Sequence, residues 1–271
     1  EVGDAAGIGG HVYSIQALIR ALAPTIECGT VVFGGAPCPA LEALPRRPHQ
    51  IPFQRNRLRL REWARFREIV RAEKPDVIHA FEPTTCAFAR RAAARFGCGL
   101  VYTKCGGPNP SRRFPWSYFP RVPRLIVFSR ENEEYFRSRR DFRRTQIWRI
   151  PNRVGEVEPD PGKVAALRAR LDPARPVILR VGRISSHYEK TAEACIRLVR
   201  RLAEDGIPAQ MVFLGAVHDA GAEKRIRDAL GGHGAVLSDP EWVGQASALL
   251  DAGDLIVGTG RGLMEAAARR R

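Results

Sequence analysis

Arg183 and Lys190 are the residues whose placement most directly suggests chemistry, because one follows an apolar run at once and the other precedes a helical repeat. The run is Val177, Ile178, Leu179 and Val181, short and rich in β-branched residues, which suits a strand covered on both faces of a parallel sheet. Gly182 lets the chain turn at its carboxyl end, the edge at which open α/β sheets bind ligands. Polar Ser185 to Glu189 leads to Lys190 and the helical pattern Ala192, Ile196, Val199, Leu202. The two cations therefore flank a helix N-terminus, whose free N–H groups and dipole favour an anion. A phosphate or diphosphate is the natural guest. The same residues also fit a plainer arrangement, with Arg183 paired to a neighbouring loop and Lys190 solvated, and spacing alone does not choose between the two.

A second anion-friendly stretch lies near the start, where Gly7, Gly9 and Gly10 precede a helical repeat at Val12, Ile15, Leu18, Ile19 and Leu22. A glycine-rich loop opening a helix brings backbone N–H groups close to a phosphate or sugar, although such loops also serve as plain turns. The six cysteines, Cys28, Cys38, Cys86, Cys98, Cys105 and Cys195, show no paired spacing and no histidine cluster, so neither a zinc site nor a disulfide framework is indicated. His79, within Asp76 to Ala80, reads as a core histidine.

Strands and helices alternate around these residues. Strands are predicted at Thr30 to Phe33, Asp76 to Ala80, Leu100 to Thr103, Leu125 to Phe128 and Gln146 to Ile150, with a proline-rich loop from Pro37 to Pro52. Trp63, Phe66 and Val70 share one face of a basic helix, Cys86 to Phe96 forms another, and Ser129 reads as the N-cap of a helix over Arg130 to Arg137. Pro108 to Pro123, proline-rich and aromatic, reads as a substrate lip. Beyond Gly155 come strands at Val177 to Val181, Gln210 to Leu214, near Val236 and at Asp254 to Val257, with helices at Thr191 to Asp205, Glu223 to Leu230 and Val243 to Leu250. The pattern predicts two parallel α/β domains: residues 1–155, a linker over 156–175, and residues 176–271, with the cleft between them as the default ligand site.

Composition sets the class. With 44% apolar and 27% charged residues the chain is globular, and no apolar run approaches the length of a membrane span. The start lacks the basic-then-apolar pattern of a signal peptide, so a cytoplasmic location is expected. The net charge of +15 is uneven: residues 1–155 hold 27 Lys+Arg against 13 Asp+Glu, a net of +14, and residues 156–271 hold 17 against 16, a net of +1. The first half is therefore expected to meet an anionic partner, and its basic helix fits either the inner face of a membrane or, more simply, a sheet that covers its apolar side. No nucleic-acid module is recognisable, and nucleic acid is not expected as a partner.

The ordered set Gly9-Gly10, Lys74 to Ala80 (KPDVIHA), Leu125 to Ser129 (LIVFS), Ile150 to Val154 (IPNRV), Val181 to Arg183 (VGR), Val212 to Gly215 (VFLG) and Asp254 to Ala268 resembles the family 4 glycosyltransferases, retaining enzymes of the GT-B type. That resemblance implies an α/β fold of two Rossmann-like domains facing across a cleft, the first holding the acceptor and the second the nucleotide-sugar donor. It implies a hexosyltransferase-type reaction from a nucleotide-diphosphate sugar to a carbohydrate or lipid-linked hydroxyl, in polysaccharide or glycolipid synthesis. Arg183 and Lys190 would neutralise the diphosphate. Glu265 would hold the ribose, Gly260, Arg261 and Gly262 would face the donor, and Gly9 and Gly10 would approach it from the other domain. No cofactor or metal is implied, because cations and helix dipoles supply the positive charge.

The chain departs from that pattern at four places. Val257 stands where the family's first glutamate would be, Cys105 stands near a frequent histidine, and Lys190 follows Arg183 by seven residues where five is usual. The chain stops at Arg271, which makes the second domain incomplete by comparison and gives the sequence the look of a piece shortened at both ends. These departures motivate an alternative reading, a catalytically impaired nucleotide-sugar-binding or scaffold protein with the same fold.

Overall fold

The computed structural model describes residues 10–34, 39–52, 60–105, 122–152, 158–243 and 246–269. The chain divides into two compact units, 1–153 and 154–271.

In the first unit α1 (Gly10–Leu22) precedes β1 (Val31–Phe33), α2 (Pro39–Glu42), β2 (His49–Ile51), α3 (Leu60–Glu73), β3 (Val77–Ala80), α4 (Pro83–Phe96), β4 (Gly99–Lys104), β5 (Arg124–Val127), α5 (Arg130–Arg137) and β6 (Gln146–Arg149). β3, β4, β5 and β6 form one parallel sheet in that order, and β1 pairs with β2 in a separate parallel ribbon. Leu100, Tyr102, Leu125, Val127 and Phe136 fill one core, against Cys86, Ala89 and Ala93 of α4. Phe66, Ile69 and Val70 of α3 pack with Phe33, Ile51 and Phe88 in another, with the Phe33 and Phe66 rings 5.5 Å apart. The apolar side of α3 is thus buried in its own unit, which is the simpler of the two arrangements open to a basic amphipathic helix.

Ser129 caps α5 by accepting from the Asn132 N–H at 3.2 Å, as its position in the sequence predicts. The proline-rich stretch departs from expectation. It holds α2 and β2, whose Gly34 N–H to Ile51 O bond of 3.0 Å and His49 N–H to Thr30 O bond of 2.8 Å come from β1 and the residues flanking it. Pro48 and Pro52 bracket β2 outside this ladder, so they cost it no donor.

The second unit contains α6 (Pro161–Arg168), β7 (Val177–Val181), α7 (Glu189–Glu204), β8 (Gln210–Leu214), α8 (Ala220–Leu230), β9 (Gly234–Leu237), α9 (Pro240–Val243), β10 (Leu255–Ile256) and α10 (Arg261–Ala268). Its parallel sheet runs β10-β7-β8-β9. Both faces are covered. Val177, Leu179, Val212 and Leu214 meet Leu167, Leu249 and Leu250 on one side, while Ile178, Met211 and Phe213 meet Ile196, Val199 and Ile226 on the other. Two expectations change here. The 156–175 stretch, read as a linker, carries α6 with Leu167 fully buried, so it belongs to the second core. The helix expected over Val243 to Leu250 is instead α9 followed by a 3₁₀ segment, Ala246–Ala252, which buries Ala248, Leu249, Leu250 and Ala252.

Candidate functional site

Strand order reverses beside β7. β8 and β9 continue outward on one side, and the chain then returns to add β10 on the other. Ligands of open α/β sheets bind at such a switch point, outside the carboxyl ends of the strands. Gly182 and Arg183 leave β7 there, and the loop that runs to Gly260, before α10, leaves β10 beside it.

Two glycines make the arrangement possible. A Cβ on Gly215, at the end of β8, would lie 1.9 Å from the Gly182 carbonyl oxygen, so only glycine admits that backbone approach. A Cβ on Gly262 would lie 3.4 Å from the Val181 oxygen, which shows how closely the start of α10 is seated on the end of β7. Beyond Arg183 the chain is held to β8's exit by Ile184 N–H to Ala216 O (2.9 Å) and His218 N–H to Ile184 O (2.9 Å). A 3₁₀ turn, Ser186–Tyr188, then delivers α7. That turn occupies part of the seven-residue spacing between Arg183 and Lys190.

Arg183 is exposed, and its Nη2 donates to the Tyr188 hydroxyl at 3.2 Å with the guanidinium over the Tyr188 ring. Lys190 is exposed in the first turn of α7. Its N-cap residue, Tyr188, makes no side-chain cap hydrogen bond. Glu189, its first residue, is held by Arg225, whose hydrogen bond keeps the carboxyl below its usual range. Arg261 and Glu265 lie one turn apart on α10, both shielded from solvent and paired at 2.6 Å through Arg261 Nε, while the other Glu265 oxygen accepts from Ser247 Oγ at 2.7 Å. Each carboxylate oxygen retains a further lone pair for a ligand hydroxyl. Gly260 is the N-cap residue of α10, at φ 65°. Gly10 begins α1, whereas Gly9 and residues 108–121 of the expected lip lie outside the described residues.

Two buried cations escaped the sequence reading. In the second unit Arg180 projects from the middle of the apolar β7 and is 4% exposed. In the first unit, at the carboxyl edge of β3 and β4, His79 Nε2 and Thr103 Oγ1 are 2.7 Å apart and the His79 ring stacks on Phe81 at 4.2 Å. Lys104 ends β4 at 2% exposure. Burial pulls the Lys104 ammonium below its usual range, opposed by the charges of Glu131 and Cys105. Burial, assisted by Glu82, pushes the Cys105 thiol up to about 12. A charged residue inside or ending an apolar strand is the signal that marks both Arg180 and Lys104.

Two parallel α/β units with a switch-point site define the class, and solved structures share the fold along nearly the whole chain. A glycosyltransferase from Rickettsia africae matches with a TM-score of 0.68 at 14% identity, covering 98% of this chain and 75% of its own. HepE of Anabaena, solved with UDP and glucose, matches with 0.69 at 16% identity, covering 97% and 76%. Sucrose-phosphate synthase of Thermosynechococcus elongatus matches with 0.65 at 17% identity, covering 97% and 74%. No curated protein matches the chain in sequence. The GT-B glycosyltransferase fold is therefore established, and the family follows from the sequence itself. Residues 8–154 match the profile of Glycosyltransferase Family 4, and the chain belongs to that family.

Proposed function

We propose that the chain transfers a glycosyl group, with retention, from a nucleotide-diphosphate sugar to a hydroxyl of a carbohydrate or lipid-linked acceptor. The observation that carries this reading is the start of α7, flanked by Arg183 and Lys190 at the strand-order reversal. As the bond from the anomeric carbon to the diphosphate breaks, negative charge gathers on the departing phosphate, and the two cations with the α7 dipole stabilise it. The charge is supplied without a metal ion. Glu265 accepts from the ribose hydroxyls, and Gly260, Arg261 and Gly262 line the donor side. UDP in the HepE structure supports a nucleoside diphosphate as the donor's leaving half. The basic first unit is proposed to bring the enzyme to the anionic inner face of a membrane, for polysaccharide or glycolipid synthesis.

Arg183→Ala is expected to weaken UDP binding about 10- to 100-fold, the worth of a charge-assisted phosphate contact, and to lower donor turnover with EDTA present throughout. Calorimetry and a donor-hydrolysis assay check this, and equal values in both proteins overturn the role of Arg183. A second reading, nucleotide-sugar binding without turnover, is favoured by Val257 and by the engagement of both Glu265 oxygens within the chain. It predicts saturable UDP binding with no hydrolysis or transfer.

A further inference from the structure

The strand that leads to Arg183 carries another arginine. Val177, Ile178 and Leu179 are each buried in the apolar core, and Arg180 follows them at 4% exposure on the side of the sheet covered by α7 and α8. A guanidinium cannot shed its charge, and burying it is costly unless an anion accompanies it. Among the described residues no ion pair reaches Arg180, and its Nε has no hydrogen-bond partner. The groups that favour its charge are the Cys195 thiol and the Tyr188 phenol, and burial draws its pKa down. The nearest helix start makes the imbalance worse, since the positive end of α7 begins right after Tyr188.

The guanidinium also points somewhere definite. Its Cζ, Nη1 and Nη2 lie 3.8–3.9 Å from where a Cβ of Gly182 would stand, so the side chain reaches along the strand to the carboxyl edge and occupies the space that glycine leaves. Tyr188 covers it there. The Tyr188 ring is shared by two guanidinium groups, with Arg180 Cζ at 5.7 Å and Arg183 Cζ at 5.6 Å from its centroid. A buried cation, an exposed cation and the start of α7 thus converge, and the two carboxylates nearby are engaged elsewhere, Glu189 by Arg225 and Asp219 by Ser186 and the Ala222 N–H, so that among the described residues neither arginine has an ion pair.

We propose that Arg180 is a third cation of the anion site, binding the donor's diphosphate from beneath Gly182 and holding Tyr188, and through it Arg183, in place. This rests on the donor-site reading above. The anion supplies the counter-charge that no described residue provides, so Arg180 opposes stability in the free protein and favours the complex. That opposition separates it from a packing residue. Arg180→Met and Arg180→Gln, in the full chain, are compared with wild type and Arg183→Ala by calorimetric titration with inorganic pyrophosphate and with UDP, and by thermal unfolding without ligand.

The expected result is an affinity for both probes lowered about 10-fold or more in the Arg180 variants, with the ligand-free unfolding midpoint of Arg180→Met equal to or above that of wild type. Wild-type affinity in either Arg180 variant, while Arg183→Ala loses it, overturns this inference and leaves the donor site standing. A lowered midpoint with unchanged affinity makes Arg180 a packing residue and overturns it as well. Failure of wild type to bind either probe overturns the donor site, and Arg180's role with it.

Discussion

At the scale of single residues, the chain buries charge at the carboxyl ends of its strands. Arg183 and Lys190 were legible in the sequence because a glycine after an apolar run and a polar loop before a helical repeat are local signals. Arg180 and Lys104 were not, because a strand's pattern says that a position is covered without saying what covers it. Lys104 makes its burial measurable. Its pKa is lowered from the usual 10.5, so between the folded value and 10.5 the unfolded chain binds more protons than the folded one. Stability therefore rises with pH across that window and is level at its lower value beneath it, where both states carry the proton. Lys104→Met removes the difference. The variant is expected to be more stable than wild type at neutral pH, with the gap closing as pH approaches 10.5, measured by urea unfolding of the first unit at a series of pH values. A gap that stays constant with pH would mean that burial does not perturb this ammonium.

Elements were legible where their signal is local and lost where it is not. β7 and β8 read plainly as strands because parallel strands covered on both faces are continuous apolar runs. β2 did not, since three residues between prolines become a strand only through pairing with β1. The 3₁₀ segment Ala246–Ala252 shows the same limit, because Ala248, Leu249 and Leu250 are three consecutive buried residues, more than one face of an amphipathic helix offers. Where elements meet, Gly215 fixes the exit of β8 against Gly182 and so sets where Arg183 begins. Gly215→Ala is expected to force the two strand exits apart, destabilising the second unit by about 1–3 kcal/mol and weakening UDP binding even though Gly215 carries no charge. Calorimetry with the folded variant is the check, and unchanged affinity would mean that the Gly182 turn absorbs the displacement without moving Arg183.

For the whole molecule, the separation of charge follows the separation into units, and the structure narrows what that charge can do. Residues 1–155 carry +14 and residues 156–271 carry +1. No helix among the described residues is long and apolar enough to cross a membrane. The apolar side of α3 is spent on Phe33, Ile51 and Phe88, so it is not free to enter lipid, whereas Arg61, Arg65 and Arg71 on the same helix are exposed. Any attraction of α3 to a bilayer is then electrostatic, and electrostatic attraction between exposed charges fades once the screening length falls to a few ångström. Phosphatidylcholine vesicles containing phosphatidylglycerol are expected to sediment the protein at low salt and to release it near 0.5 M sodium chloride, where the screening length is about 4 Å. Pure phosphatidylcholine is expected to leave it in solution, and the fluorescence of Trp63, which packs against the Phe66 and Phe88 rings at 6.4 and 6.3 Å, should not shift on binding. Binding that survives high salt with a blue-shifted Trp63 would mean that α3 leaves its core to insert, and the membrane role would then rest on an apolar face rather than on charge.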